Sequence, residues 1–488
     1  MTTPPPQPSA FLGLDLGGTG AKAGVFDGHG SLLGSARVAC VPTTTSEGHT
    51  EIPIESLYQA ARRAAREALA EAAVPVRAMA ICTQGETFVS LDGEDRSLHP
   101  VILWYDARAA EQAERLTVAL TDAPEAAALC LLPLCTGPKI IWLRERYPEV
   151  IARARRHLLL PEYFAYRLTG EAVTDPDAAA STGLYAYDAP DWSPTALQAA
   201  GIGQDTLARI QRPATAIGSI LPTVVEDWGL APGTLLVTGC NDQYAGALGA
   251  GNCRPGIASE MSGTCLAVVT LAERLPAPLP SGLFGGRFPL PEYRFALAYA
   301  KTAGLVLEWF SRVFAGGRSL EELELLAAGV PPGSRGVIAL PHFDGQVTPP
   351  EAEARGMIFG LGLGHGLGDM YRALLESLAF TLREMLELLA AAGLPVEVIR
   401  CIGGGARSDL WLQMKADVTG LPVERPAVPE AATTGAALLA ATGAGEFSTI
   451  RQAAEAWYRA DRSWEPNPDT QDAYRGAYEA WREVRERA

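Results

Sequence analysis

The 488-residue sequence has no CxxC pair, no metal-spaced histidines, no long apolar run and no excess of positive charge. Each absence removes a class of function. The eight cysteines (40, 82, 130, 135, 240, 253, 265 and 401) are scattered, only Cys130 and Cys135 lie close together, and the six histidines form no cluster with them. A zinc site is therefore not expected, and scattered thiols suit a reducing compartment. No uninterrupted apolar stretch is long enough to span a bilayer. The start, MTTPPPQPSA, lacks the positive flank and apolar core of a secretory signal. The expectation is a cytoplasmic protein with no membrane partner. Lys and Arg number 40 against 56 Asp and Glu, a formal charge of −16. That balance argues against a nucleic-acid partner but leaves room for a local phosphate pocket.

What is present is an ordinary globular composition, 48% hydrophobic and 20% charged, over a length that predicts two large α/β domains. Phe11–Asp27, FLGLDLGGTGAKAGVFD, reads as strand, glycine-rich turn and strand, followed by Asp27-Gly28-His29-Gly30 and a third strand. Three glycines in the turn let a ligand approach backbone N–H groups closely. Asp15, in a run that should be buried, needs a cation or partner. With Lys22 nearby, these features suggest a polyphosphate with magnesium. Gly18-x-Gly20-x-x-Ala23 formally fits a dinucleotide fingerprint, which would make an oxidoreductase, but that motif requires a helix directly after the glycines. The Walker loop fails because Lys22 has neither glycine before it nor Ser or Thr after it.

Further along, a helix is expected over 54–73. A strand over 76–82 ends in Thr83-Gln84-Gly85-Glu86, and another over 101–104 leads into Tyr105-Asp106-Ala107-Arg108. A strand over 234–239 leads through Cys240-Asn241-Asp242-Gln243 to a small-residue helix at 245–251. Pro255-Gly256 punctuates the chain. Strand 257–261, the turn Ser262-Gly263-Thr264 and strand 265–271 then repeat the opening pattern without repeating its residues. A helix over 304–314, a long helix over 369–392 and a strand over 396–402 follow. Gly403-Gly404-Gly405 comes next, then a helix capped by Asp409, and an alanine-rich helix over 430–441.

Taken in order, DLGGTGAK, TQGET, ILWYDAR, KIIWL, TGCNDQYAGALGAG, SGT, GMIFGL…ESLAF, IGGGARSDLWLQMKAD and EAATTGAAL resemble the FGGY carbohydrate kinases of the actin-like ATPase superfamily. The resemblance runs from Gly13 to about Tyr478. It implies two ribonuclease-H-like domains of mixed sheets flanked by helices, residues 10–252 and 253–488, with the active site in the cleft between them. ATP and Mg2+ are the implied cofactors, and a sugar or polyol, phosphorylated on a hydroxyl expected to be primary, is the implied substrate. A homodimer is left open.

By the same resemblance Asp242 is the catalytic base. Gly17, Gly18, Thr19 and Lys22 hold phosphate with Ser262, Gly263 and Thr264. Gly304, Gly404, Gly405, Ala406 and Ser408 serve the nucleotide. Asp15 holds magnesium through water, joined by Asp242. Gln84, Glu86, Trp104, Asp106, Asn241, Asp242 and Gln243 read the substrate. The chain departs from the family at Gly85, where glycerol kinases carry arginine, and at Leu134, where they carry tyrosine. It also lacks the Met-His-Gly usual in xylulose kinases near Gln84. Gln346 stands for a common glutamate, and Gly18 for a Thr or Ser. Glycerol kinase is thus an alternative that Gly85 disfavours. An actin- or chaperone-like ATPase without a sugar is another, disfavoured because no residues remain for a peptide-binding domain.

Overall fold

Two β-meanders organise the chain, each opening one of two units. The computed structural model describes residues 9–126, 129, 131–186 and 189–487; Cys130 lies outside them. The first unit is Met1–Gly249 with Ala432–Trp457, and the second is Ala250–Ala431 with Tyr458–Ala488. A single break after residue 252 is therefore too simple: the alanine-rich helix Ala431–Gly443 belongs, from Ala432 onward, to the first unit. Its packing explains why. A Cβ on Gly13 would sit 1.9 Å from the Thr433 carbonyl oxygen, and one on Gly435 1.9 Å from that of Ala245. Only glycine permits backbones to approach so closely.

In the first unit, Ala10–Gly17, Gly20–Asp27 and Leu32–Ala39 form the antiparallel meander. Ala78–Thr83 joins Ala10–Gly17 in parallel, Leu235–Val237 joins Ala78–Thr83 in parallel, and Ala216–Ser219 closes the six-stranded sheet. Phe11, Leu12, Leu14 and Leu16 are all buried, so this central strand is covered on both faces. Helix Ile54–Ala72 lays Leu57, Ala61, Ala64 and Ala68 against the meander at helical spacing and ends at Ala73 in the left-handed region. A second, five-stranded sheet of short strands carries Thr50–Ile52, Val101–Ile102, Phe88–Leu91 and Arg156–Leu159.

The second unit repeats the plan. Ile257–Ser262, Leu266–Ala272 and Arg294–Ala300 form its meander, with Val398–Ile402 parallel to the first of these and Val423–Pro426 parallel beyond. Both units thus show the strand order third, second, first, fourth, fifth with the same senses of pairing. This is the ribonuclease-H-like arrangement, built twice. The second sheet is widened to seven strands by Leu283–Arg287 and Ala460–Trp464. Leu367–Ala391 packs beside it through Leu374, Leu378, Leu382, Met385 and Leu389. Cys40, Cys82, Cys240, Cys265 and Cys401 are thiols outside any disulfide. Among the described residues no helix is long and apolar enough to cross a membrane.

Candidate active site

In the first unit, polar side chains gather where three neighbouring parallel strands end, the usual ligand edge of such sheets. The register sets Leu16 beside Thr83, and Thr83 bridges to Asn241. Asp15 lies two residues before the glycine turn and directly opposite Lys22, whose Nζ is 3.7 Å from Asp15 Oδ2. A Cβ on Gly17 would meet nothing within 4 Å, so that corner is open to a ligand. Gly20 has an internal reason: with φ at +153°, its Cβ would strike the Val38 carbonyl oxygen at 2.3 Å.

Asp242 opens helix Asp242–Gly249, so this helix starts three residues earlier than the small-residue pattern suggests. Asn241 acts as the cap, its Oδ1 accepting the Gln243 N–H at 2.9 Å. Burial pushes the Asp242 pKa up to about 7; the Asp15 charge adds to the rise and Lys22 opposes it. The Gln243 N–H and its own N–H also reach the Asp242 carboxylate and hold its pKa down in part. A carboxyl tuned to that range suits a general base at neutral pH.

Glu86 sits at φ +53°, where a side chain is seldom tolerated. Its N–H donates to Ser181 Oγ at 3.2 Å, and its carbonyl accepts from Thr136 Oγ1 at 3.1 Å. Backbone strain held from both sides is a mark of functional sites. Burial raises its pKa to about 7, Lys139 works against that rise and Asp242 adds to it. Lys139 is fully buried and donates to the carbonyls of Leu103 (2.9 Å) and Trp104 (3.2 Å). Burial lowers its pKa to about 8. Sequence reasoning overlooked Thr136, Lys139 and Ser181; the one available signal was a lysine on the apolar face of KIIWL.

Asp106 requires correction. Its Oδ1 accepts from the Arg108 N–H (3.0 Å) and Nε (2.9 Å), and its Oδ2 from the Thr50 N–H (2.8 Å) and Arg108 Nη2 (2.7 Å). All four lone-pair positions are taken. Asp106 fastens the loop after Trp104 instead of reading a hydroxyl. Trp104 is half-buried, its N–H donating to Thr87 Oγ1 at 3.0 Å and its ring edge-on to Tyr105. Gln84 lies against the glycine turn: a Cβ on Gly18 would sit 3.2 Å from its Oε1.

In the second unit, Gly263 and Thr264 form the turn tip. A Cβ on Gly263 would meet nothing within 4 Å, while one on Gly304 would lie 2.5 Å from the Gly263 carbonyl oxygen that the Gly304 N–H uses. Ser262 is corrected in part, because its hydroxyl is buried and bonded to Glu260 and Lys415, leaving only its backbone at the turn. Gly405 is needed for packing, since its Cβ would lie 2.5 Å from that of Ser262 and 2.6 Å from the Trp411 ring. Gly404 is less confined, with only the Ser262 carbonyl oxygen at 3.8 Å. Ala406 is buried. Ser408, not Asp409, caps helix Asp409–Thr419, accepting the Trp411 N–H at 3.1 Å. Asp409 pairs with Arg425 and Arg462. Gln346 donates to Glu384 at 3.1 Å, a contact a second carboxylate would make repulsive.

Comparison with known proteins bears on this arrangement. Residues 10–249 match the N-terminal domain, and 264–444 the C-terminal domain, of the FGGY family of carbohydrate kinases. A xylulose kinase of Bacillus subtilis is 27% identical over 97% of this chain and 96% of its own length. An autoinducer-2 kinase of Salmonella paratyphi B is 29% identical over 97% and 93%. Among solved structures, a xyloylose kinase from Brucella ovis superposes with a TM-score of 0.88 at 27% identity, covering 97% of this chain and 98% of that one. With both domain models matched over most of its length, the chain belongs to the FGGY family of carbohydrate kinases and is an ATP-dependent sugar kinase.

Proposed function

We propose that this kinase transfers the γ-phosphate of ATP to a primary hydroxyl of a ketose or polyol, a pentulose being the first candidate. Asp242 carries the reading: a carboxyl at a helix start, raised to about 7 by burial and by the charge of Asp15, at the edge of the parallel strands. As the substrate oxygen attacks phosphorus, the bond to the bridging oxygen of ADP breaks and the hydroxyl proton passes to Asp242. Phosphoryl transfer asks little else of a protein than alignment and charge neutralisation. Glu86, with its strained and doubly held backbone, and Asn241, Gln243 and Trp104 read the substrate. Gly17, Gly18, Thr19 and Lys22 face phosphate in the first unit. Gly263 and Thr264, with the Ser262 backbone, do so in the second. Gly304, Gly404, Gly405, Ala406 and Ser408 frame the nucleotide.

Magnesium fits the residues present. Among the described residues no group of three His, Cys, Asp or Glu side chains could cage a metal. Mg2+ ordinarily takes one or two carboxylates, waters and substrate phosphates instead. Asp15, through water, and Asp242 supply that oxygen-only set, and the bound ion would neutralise charge on the phosphates.

Pentuloses come first because relatives matched over 96% of their length are named xylulose kinases. Glycerol is disfavoured because Gly85 stands where glycerol kinases carry arginine, and a Cβ there would press on Ser181 Oγ at 3.2 Å and Asn241 Nδ2 at 3.3 Å. The test is coupled ADP release from Mg–ATP against pentuloses, hexuloses, polyols and aldonic acids. A ketose or polyol that stimulates release by orders of magnitude is expected; ATP consumption that none of them stimulates would overturn the proposal.

A further inference from the structure

Gln84 stands apart from the other groups grouped with the sugar. It is only 5% exposed, and neither its Nε2 nor its Oε1 has a hydrogen-bond partner among the described residues. An unmade hydrogen bond at a buried polar group costs about 1–3 kcal/mol, so an amide with both ends unmade is a place kept for a ligand. The direction it faces narrows the ligand. Its Oε1 is the atom that a Cβ on Gly18 would meet first, at 3.2 Å. Gly18 belongs to the open turn after Asp15, and residue 84 follows the strand end paired with Leu16. The next residue, Gly85, turns to Ser181 and Asn241, and Glu86 is held by Ser181 and Thr136. Gln84 and Glu86 therefore serve different neighbours: one the phosphate turn, the other the substrate side. A half-turn about χ3 exchanges the amide oxygen and NH2, so the donor end can be offered to the turn without moving the backbone.

We propose that Gln84 is a catalytic residue of phosphoryl transfer, its Nε2–H donating to an oxygen of the transferred phosphoryl group beside Gly18 as charge develops there, and not a reader of sugar hydroxyls. The inference rests on the kinase reading above. A fixed donor aimed at developing charge acts on the transition state and leaves ground-state binding of the sugar untouched.

The test is Gln84→Met, which keeps length and removes both polar ends. It is compared with the parent enzyme in three measurements: sugar turnover, sugar affinity without nucleotide, and calorimetric binding of Mg–ADP with and without fluoroaluminate. Turnover is expected to fall about 10²-fold. Sugar affinity and Mg–ADP binding should hold within about twofold, and the added affinity from fluoroaluminate should be lost. ATP hydrolysis in the absence of sugar should fall in parallel with kinase turnover. If Gln84→Met does not fold, Gln84→Leu, which also removes both polar ends, replaces it; the same pattern is expected, with turnover at least about tenfold lower. Sugar affinity weakened tenfold with the fluoroaluminate gain retained would overturn the proposal, as would unchanged turnover. Failure of the kinase reading is separate: the parent enzyme would then show no sugar stimulation, while the sugar-free hydrolysis and fluoroaluminate arms would still report on Gln84.

Discussion

The two meanders share a backbone plan and differ in what surrounds their acid. Asp15 and Glu260 each lie two residues before the end of the first strand, and each faces a cysteine on the neighbouring parallel strand, Cys82 and Cys401. In the second unit the acid is sealed. Lys415 Nζ is 2.8 Å from Glu260 Oε2 and 3.0 Å from Ser262 Oγ, and it lies 4.1 Å from the Trp411 ring centre. In the first unit the corresponding cation, Lys22, stands 3.7 Å off with its side chain 34% exposed, against 1% for Lys415. The contrast extends beyond the turns. Glu376 in the second unit is paired with Arg372 at 2.9 Å. In the first, Glu162 and Asp242 are raised to about 7 and Asp175 to about 6, in each case chiefly by burial. The first unit also has a sealed pair, Asp106 with Arg108, but beside it keeps Glu162, Asp175 and Asp242, buried acids whose charge a ligand, a metal or a proton must balance.

That difference can be broken from either side. The largest effect on stability is expected at Lys415→Met, which strands Glu260. Breaking a buried pair costs about 3–5 kcal/mol, whereas Glu260→Leu combined with Lys415→Met should recover most of the loss. Urea titration of the three proteins checks this, and equal stability of Lys415→Met and the parent would refute the sealed-acid reading.

Titration sharpens the contrast next. Asp242 must be ionised to accept a proton, so kcat/KM should fall as pH drops below about 7, approaching tenfold per unit. Lys22 holds that pKa down, so Lys22→Met should move the acid limb to higher pH, whatever it does to the rate at the plateau. Folding stability has the opposite sign. Groups with a folded pKa above the unfolded value stabilise below the unfolded pKa, and that contribution is lost as pH rises through the folded one. The ligand-free protein should therefore lose stability from about pH 4 to pH 7 through Asp175, Glu162 and Asp242. Unfolding midpoints that climb steadily over that interval would contradict this. The smallest effect is expected at Thr136→Val, which removes one bond to the Glu86 carbonyl. The loss is about 1 kcal/mol, a fivefold rise in sugar KM, and Thr136→Ser should restore it.

Much of this contrast was hidden in the sequence. The strand–turn–strand signature of both meanders was legible because apolar runs and glycine turns are local, and the helix break expected of a nucleotide fingerprint was visibly missing. Asp15 and Lys22 could be singled out for the same reason, and Asp242 through the resemblance carried by TGCNDQYAGALGAG. The Glu260–Lys415 pair could not, because 155 residues separate partners that meet only through sheet order. Asp106 looked like a hydroxyl reader until its neighbour Arg108 and the distant Thr50 occupied both its oxygens. The return of helix Ala431–Gly443 to the first unit depends on backbone contacts at Gly13 and Gly435 that no periodicity records. Strands Leu283–Arg287 and Arg294–Ala300 carry little local signal, and their pattern becomes clear only beside Leu266–Ala272.

The central claim is that Asp242, the acid without an ion pair among the described residues at the edge of the first unit, does the chemistry. Asp242→Asn tests it most directly, by sugar-stimulated ADP release measured beside ATP affinity. Turnover lowered by about 10²–10⁴-fold with ATP affinity nearly unchanged is the predicted result; turnover close to that of the parent enzyme would contradict the account.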